Sequence, residues 1–199
     1  MPHHSATAVY IHRYHTPAGF DNLLMRSDGT VLTGLWFEGW RDLPHHSATD
    51  KELTLPVFEE TSRWLDTYFS GRQPDFTPAY RIDGLTPFRD KVLQLMTDIP
   101  FGGLTTYGSL STRLANSEAC AKPSARAVGG AVGWNPLCII IPCHRVVGAT
   151  GALTGYNSGL NNKTALLRLE GHTVSDGQVC NYSLPSTTCQ STTCQRAAR

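Results

Sequence analysis

The sequence predicts a mixed α/β (α+β) protein whose two halves are built differently. Three observations carry that reading. β-rich runs punctuated by turn residues occupy the first forty positions. A helix with a 3.6-residue apolar period begins at Pro56. After Gly84 the chain restarts with short, capped helices around one continuous apolar run. The expected division is an N-terminal α/β domain over residues 1–84, a mostly helical domain over 85–174, and a Ser/Thr/Cys-rich tail over 175–199.

Residues 7–14, 19–26 and 31–37 read as three strands of an antiparallel sheet. The second and third are joined through Ser27-Asp28-Gly29, because Asp-Gly supplies the positive φ of a tight hairpin. Gly34 within the third run suggests a bulge. Residues 38–55, with Gly39, Pro44, His45 and His46, read as a loop. Pro56 suits a first helical turn, Val57, Thr61, Trp64, Leu65 and Tyr68 share one face, and Gly71 stops the helix. Residues 71–84 read as a linker.

In the second half, Thr86-Pro87 caps a helix expected to turn Phe88, Val92, Leu95 and Met96 toward a core. A short helix over residues 107–115 and another over 124–132 are separated by a brief loop, a helix-turn-helix-like arrangement. The second of these, Ser124-Ala125-Arg126-Ala127-Val128-Gly129-Gly130-Ala131-Val132, holds two interior glycines that each cost ~1 kcal/mol relative to Ala. Tight packing on a neighbouring helix and close approach of a DNA groove explain them equally well. Leu137-Cys138-Ile139-Ile140-Ile141 reads as a buried strand ended by Pro142. A last helix over residues 159–170, capped by Asn157 or Ser158, presents Leu160, Thr164 and Leu167. Beyond Val174 periodicity is lost, and Ser-Thr-Thr-Cys-Gln occurs twice in succession (186–190, 191–195), so the tail is expected to be disordered.

The 17 Lys+Arg against 16 Asp+Glu exclude a highly charged coat or tail protein. The charge is nonetheless uneven: 7 basic against 11 acidic residues up to Gly84, and 10 against 5 from Leu85 onward. Only the second half would attract a polyanion. No apolar run nears the ~18 residues of a membrane span, and the first residues lack a secretory signal. A cytoplasmic protein (nuclear in a eukaryote) is expected. All six cysteines follow residue 119, and reduced thiols are expected.

Three features suggest chemistry. Cys143 follows a buried run directly and is followed by His144 and Arg145, which offer a base and a positive field to a thiol of ordinary pKa ~8.5. A direct Cys143–His144 hydrogen bond needs a sharp turn, because strand neighbours face opposite ways; a water is the alternative bridge. Glu170 opposes the macrodipole of its helix, at a cost of ~0.3–1 kcal/mol, which suggests a second duty such as orienting a histidine. The third feature is Arg126 among small residues.

Pro142-Cys143-His144-Arg145-Val146 resembles the active-site signature of the methylated-DNA–protein-cysteine methyltransferases, which repair O6-alkylguanine. Ile99-Pro100-Phe101-Gly102, Tyr107-Gly108, Ala125 to Ala131, Asn135-Pro136, Gly155-Tyr156 and Leu169-Glu170-Gly171 resemble further blocks of that family, in family order, over about Leu85 to His172. The resemblance implies a ribonuclease-H-like N-terminal domain of three antiparallel strands plus a helix, and a winged helix-turn-helix-like C-terminal domain. It implies a DNA repair protein that flips O6-alkylguanine, or O4-alkylthymine, out of the duplex. The alkyl group then passes irreversibly to Cys143, in one turnover. His144 would deprotonate Cys143 through a water and Glu170 would hold His144. Tyr107 would assist base rotation and leaving-group protonation, and Asn135 would brace the active-site turn. Arg126 would fill the gap left by the extruded base, with Ala125, Ala127, Gly129, Gly130 and Tyr107 also at the DNA. Val146, Tyr156, Asn157 and Val132 would line the base pocket. Double-stranded DNA bearing alkylated bases is the implied partner of a monomer, with no cofactor and no membrane. Extrusion costs a few kcal/mol of unstacking, and an intercalating cation offsets part of it.

Some positions depart from the family pattern. Tyr107 and Arg126 are further apart than expected, with the surplus assigned to residues 117–121. Cys138 stands where a small residue or Pro is common and is read as buried and structural. Asn157-Ser158 replaces smaller residues, which would narrow the pocket against bulky adducts. Some relatives bind zinc through N-terminal cysteines, but residues 1–119 contain none. His12, His15, His45 and His46 are read as solvated, and no metal is expected. The rival readings are an alkyltransferase-like module that flags the lesion without transfer, a Cys-His hydrolase, and a self-alkylating DNA-binding regulator. Alkyltransferase-like proteins lack the cysteine, the hydrolase has no use for a Gly-rich DNA helix, and the regulator needs a further domain.

Overall fold

The computed structural model describes residues 9–39, 51–118, 123–180 and 182. His45, His46, Cys120, Cys189, Cys194 and the Ser-Thr-Thr-Cys-Gln repeats lie outside the described residues.

Strands β1 (Tyr10–Tyr14), β2 (Leu23–Ser27) and β3 (Leu32–Phe37) form the expected antiparallel meander. Gly29 turns at φ +107°, and the Asp28 carboxylate accepts from Thr30 N–H at 2.9 Å and Val31 N–H at 3.0 Å. The β2–β3 register shifts between Arg26 and Ser27. Gly34 pairs with Arg26 there, and a Cβ on it would lie inside the Trp36 indole. The stretch read as loop contains β4 (Lys51–Glu52), which pairs parallel to β1 and makes the sheet four-stranded, in the order β3-β2-β1-β4. Two residues are too few to show a period.

Helix α1 (Pro56–Phe69) buries Val57, Phe58, Thr61, Trp64, Leu65 and Tyr68. The linker is held against the edge of β3, where Leu32 N–H donates to Ala79 O and Arg81 N–H to Leu32 O, both at 2.9 Å. Apolar residues from both sides of Gly84 (Leu23, Phe37, Leu65, Val92, Leu137, Leu166) share one core.

Helix α2 (Pro87–Thr97) begins at Thr86, whose side chain accepts from Arg89 N–H. It buries Val92, Leu93 and Met96, whereas Phe88 is 37% exposed. The helix is therefore turned relative to the expected face. Strand β5 (Thr105–Thr106) leads into α3 (Tyr107–Glu118), and α4 (Ala125–Gly133) follows. The residues expected as surplus partly lengthen α3, to Glu118, and residues 119–121 lie outside those described. Ser124 is the N-cap of α4, accepting from Ala127 N–H at 3.1 Å.

Residues 137–141 do not form a strand. Leu137 makes a single bridge to Leu35, and Ile141 N–H closes back on Leu137 O at 3.0 Å. Ile139 stands at φ +70°, a conformation in which a β-branched residue is an outlier. Apolar continuity reports burial and leaves open whether the backbone is extended or folded on itself. Next come a 3₁₀ turn over Cys143–Arg145 and strand β6 (Val146–Val147), which pairs parallel to β5.

The last helix, α5 (Leu160–Leu169), starts at Gly159 with no side-chain cap, so neither Asn157 nor Ser158 caps it. It buries Asn162, Lys163, Leu166 and Leu167 and leaves Leu160 46% exposed. The start of the tail is ordered. Strands β7 (Val174–Ser175) and β8 (Gln178–Val179) form a hairpin, and Val174 and Val179 pack with Val147, Leu153 and Leu167. Its turn is Asp176-Gly177, both at positive φ, the same signal that marked Asp28-Gly29. No helix among the described residues is long and apolar enough to cross a membrane.

Candidate active site

The site is assembled by one carboxamide. Asn135, fully buried, accepts from Leu137 N–H at 3.1 Å and donates from Nδ2 toward Ile141 O at 2.8 Å and Leu137 O at 3.3 Å. These bonds hold both ends of the folded 137–141 segment and sustain the Ile139 backbone. The same Nδ2 lies 3.2 Å from Cys143 Sγ. Asn135 therefore braces the turn and also touches the sulfur.

The 3₁₀ turn sends Cys143 and His144 to different partners. Cys143 is 4% exposed and His144 is sealed. Nε2 of His144 meets Glu170 Oε1 at 2.8 Å. That bond places the imidazole proton on Nε2 and leaves Nδ1 as an acceptor. Nδ1 is buried with no hydrogen-bond partner among the described residues, and no direct bond joins His144 to the Cys143 sulfur.

Glu170 caps the C-terminus of α5 and is 7% exposed. Besides His144 it accepts from Tyr68 Oη at 2.6 Å, Arg145 Nε at 2.9 Å, Arg145 Nη2 at 2.8 Å and Gly102 N–H at 3.1 Å. Arg145 Nη1 donates to Ile99 O at 2.6 Å. Gly102, at φ +71°, is needed here: a Cβ would stand 3.3 Å from the Glu170 carbonyl. Burial opposes the Glu170 charge, but the hydrogen bonds from His144 and Arg145 prevail and hold the carboxyl well below its usual range. For His144 burial prevails over Glu170, lowers its pKa and keeps the ring neutral.

Several features favour an anionic Cys143. The Cys138 thiol hydrogen-bonds it; burial opposes; and the Asn135 amide, the Lys163 ammonium and the Tyr156 hydroxyl help bring its pKa from 9.0 to about 7. Lys163 is fully buried, donating to Val146 O at 2.7 Å and Thr154 O at 3.3 Å, and burial lowers its pKa to about 8. The Tyr156 hydroxyl is buried with no nitrogen or oxygen partner among the described residues. Val132 and Val146 are buried in the same cluster as Cys143.

Tyr107, at the start of α3, is partly buried and donates to Thr154 O at 3.1 Å. Burial, followed by the nearby Cys143 charge, raises its pKa. Asn157 is exposed and donates to Gly133 O at 2.7 Å, joining the 154–158 segment to the end of α4. Arg126, Ala125, Ala127 and Gly130 lie on the exposed side of α4. A Cβ on Gly130 would meet nothing within 4 Å, and one on Gly129 would only reach the Tyr107 ring at 3.9 Å. Packing within the described protein therefore does not require either glycine.

Sequence reasoning missed Tyr68 and Lys163. Tyr68 is a core position of α1, and only its hydroxyl reaches the site. Lys163 lies on the buried side of α5 beside Leu167, a place where a lysine is not expected. A lysine beside Asn162 in the helix that follows Cys143 was the available signal.

The family model described as "6-O-methylguanine DNA methyltransferase, DNA binding domain" matches residues 87–172. A methylated-DNA–protein-cysteine methyltransferase of Haemophilus influenzae is 40% identical over 164 residues, 82% of this chain and 87% of that protein. One of Mycobacterium tuberculosis is 43% identical over 151 residues, 74% and 85% of the two chains. The crystal structure of Mycobacterium tuberculosis OGT in complex with DNA superposes with a TM-score of 0.67 at 34% identity, covering 81% of this chain and 92% of that one.

Proposed function

This chain belongs to the methylated-DNA–protein-cysteine methyltransferase family, and on that premise we propose that Cys143 accepts an alkyl group from an extruded O6-alkylguanine of double-stranded DNA. The observation that carries the reading is the order Cys143, neutral His144, ionised Glu170, with His144 Nδ1 left as an acceptor. A water between Nδ1 and the sulfur takes the Cys143 proton onto the imidazole, and Glu170 stabilises the imidazolium so formed. The thiolate attacks the alkyl carbon, an S–C bond forms, the C–O6 bond breaks, and the departing guanine gains a proton with the help of the Tyr107 hydroxyl. A thioether has no leaving group that water displaces under mild conditions, so each molecule acts once.

Arg126 and the small residues Ala125, Ala127, Gly129 and Gly130 form the DNA-facing side of α4. The open space beside Gly130 supports close approach by an outside surface over internal packing. Val132, Val146, Tyr156 and Asn157 surround the flipped base. The protein acts as a monomer, on DNA alkylated at guanine O6 or thymine O4. The test is intact mass after mixing with an oligonucleotide containing O6-methylguanine. The expected result is a gain of one methyl, mapped to Cys143, that is absent in Cys143→Ser while DNA binding persists. Repeated turnover without gain of mass overturns the proposal.

A further inference from the structure

Residues 156–158 hold two of the side chains assigned to the base pocket, and the other half of the chain fixes them in place. Glycines at positive φ bound the segment, Gly155 at +44° and Gly159 at +83°, so its flanks supply little rigidity. The Tyr156 hydroxyl has no nitrogen or oxygen partner among the described residues. Asn162, 2% exposed in the first turn of α5, supplies the anchor. Its Nδ2 donates to Ser158 O at 2.7 Å and to Asp21 Oδ2 at 2.8 Å, and its Oδ1 accepts from Asp21 N–H at 3.0 Å. Asp21 lies between β1 and β2 and is itself fastened. Thr16 Oγ1 donates to Asp21 O at 3.1 Å, and Glu38 N–H donates to the next carbonyl, Asn22 O, at 2.8 Å. The Asn162 carboxamide thus spends both its hydrogens and its oxygen on joining the segment to the N-terminal sheet.

We propose that Asn162 is a positioning residue that sets substrate range: by tying Ser158 to Asp21 it fixes the pocket wall at Tyr156 and Asn157, and so limits the size of the alkyl group that can be seated against Cys143. This rests on the reading that Cys143 is the acceptor and that Tyr156 and Asn157 surround the base. A methyl group asks little of the wall. A benzyl group carries a ring beyond the reacting carbon, and the wall has to give way to seat it. With Asn162 in place, that movement breaks buried hydrogen bonds and leaves their groups without partners. The other side-chain tie of the segment, Asn157 Nδ2 to Gly133 O at 2.7 Å, is exposed, where water can replace it. The resistance therefore lies at Asn162, and its fixed point lies in the N-terminal sheet.

The test is single-turnover alkyl transfer, followed by intact mass, from two duplexes identical except for O6-methylguanine or O6-benzylguanine at one position. The readout is the ratio of the benzyl to the methyl rate. A general disturbance of the thiol or of DNA contact slows both and leaves the ratio unmoved. In Asn162→Ala the ratio should rise roughly threefold or more, the scale of one or two lost hydrogen bonds. Asp21→Ala, a change at an exposed residue remote from the sulfur, should raise it by a smaller factor. Asp21→Asn should keep the wild-type ratio, because its side-chain oxygen can still accept from Asn162 Nδ2. The double variant with alanine at both positions should rise no further than Asn162→Ala, since both changes cut the same tie. An unmoved ratio in Asn162→Ala, or in Asp21→Ala should the former not fold, overturns the inference, as do effects of the two changes that simply multiply. If the wild type gains its methyl at a residue other than Cys143, it is the acceptor reading that fails.

Discussion

Glu170 Oε1 accepts from His144 Nε2 at 2.8 Å, and the same carboxylate accepts from both Nε and Nη2 of Arg145. One buried anion thus orients the His144 imidazole and neutralises the guanidinium next to it. In Glu170→Gln, Arg145 becomes a buried cation without a counter-charge, and the His144 proton loses its fixed site. We predict a loss of stability of ~3–5 kcal/mol, read by urea unfolding, together with loss of methyl transfer. Because the folded-state pKa of Glu170 is depressed, its contribution is complete above the unfolded value of ~4.3 and is lost as pH falls toward the folded one. The wild type should therefore lose stability steeply below about pH 4.3, and Glu170→Gln should show a shallower dependence there. Equal slopes would remove Glu170 from its assigned place.

Gly130 separates stability from DNA contact. Because nothing in the described protein lies near a Cβ at that position, Gly130→Leu should leave the protein as stable or raise its stability by up to ~1 kcal/mol. Its affinity for duplex DNA should nevertheless fall on the order of tenfold, since a side chain of that size blocks close approach of a groove. Thermal melting and fluorescence anisotropy with a labelled duplex measure the two effects. Unchanged affinity would remove Gly130 from the DNA contact.

Arg126 should matter only when a base has to be extruded. It is exposed on α4 and has no ion pair among the described residues. Arg126→Ala should slow methyl transfer from duplex DNA on the order of tenfold or more, because part of the unstacking cost is no longer offset. Reaction with free O6-benzylguanine, which needs no extrusion, should change little. Equal slowing in both assays would argue against intercalation.

The meander, α1 and the capped helices were legible because each rests on local chemistry: Asp28-Gly29 for the hairpin, Pro56 and a repeating apolar face for α1, Ser124 for the cap of α4. The hairpin at Asp176-Gly177 carried the same signal as Asp28-Gly29, but only Val174 and Val179 flank it with apolar side chains, and they pack on Val147, Leu153 and Leu167 from elsewhere in the chain. Cys143, His144 and Glu170 were legible as a set because their motifs carry the family resemblance.

The sequence alone determined which groups the site has at its disposal: a thiol, an imidazole and a carboxylate in fixed order, and a small-residue helix bearing one arginine. Tertiary structure decided how they are charged. Tyr68 from α1 reaches Glu170, Asn135 folds residues 137–141 back on themselves, and α5 turns Lys163 inward, so that burial and long-range partners set the protonation of each group. Such effects depend on distance and water exclusion in three dimensions, and residues 102 positions apart, like Tyr68 and Glu170, leave no periodic trace of their meeting in the chain.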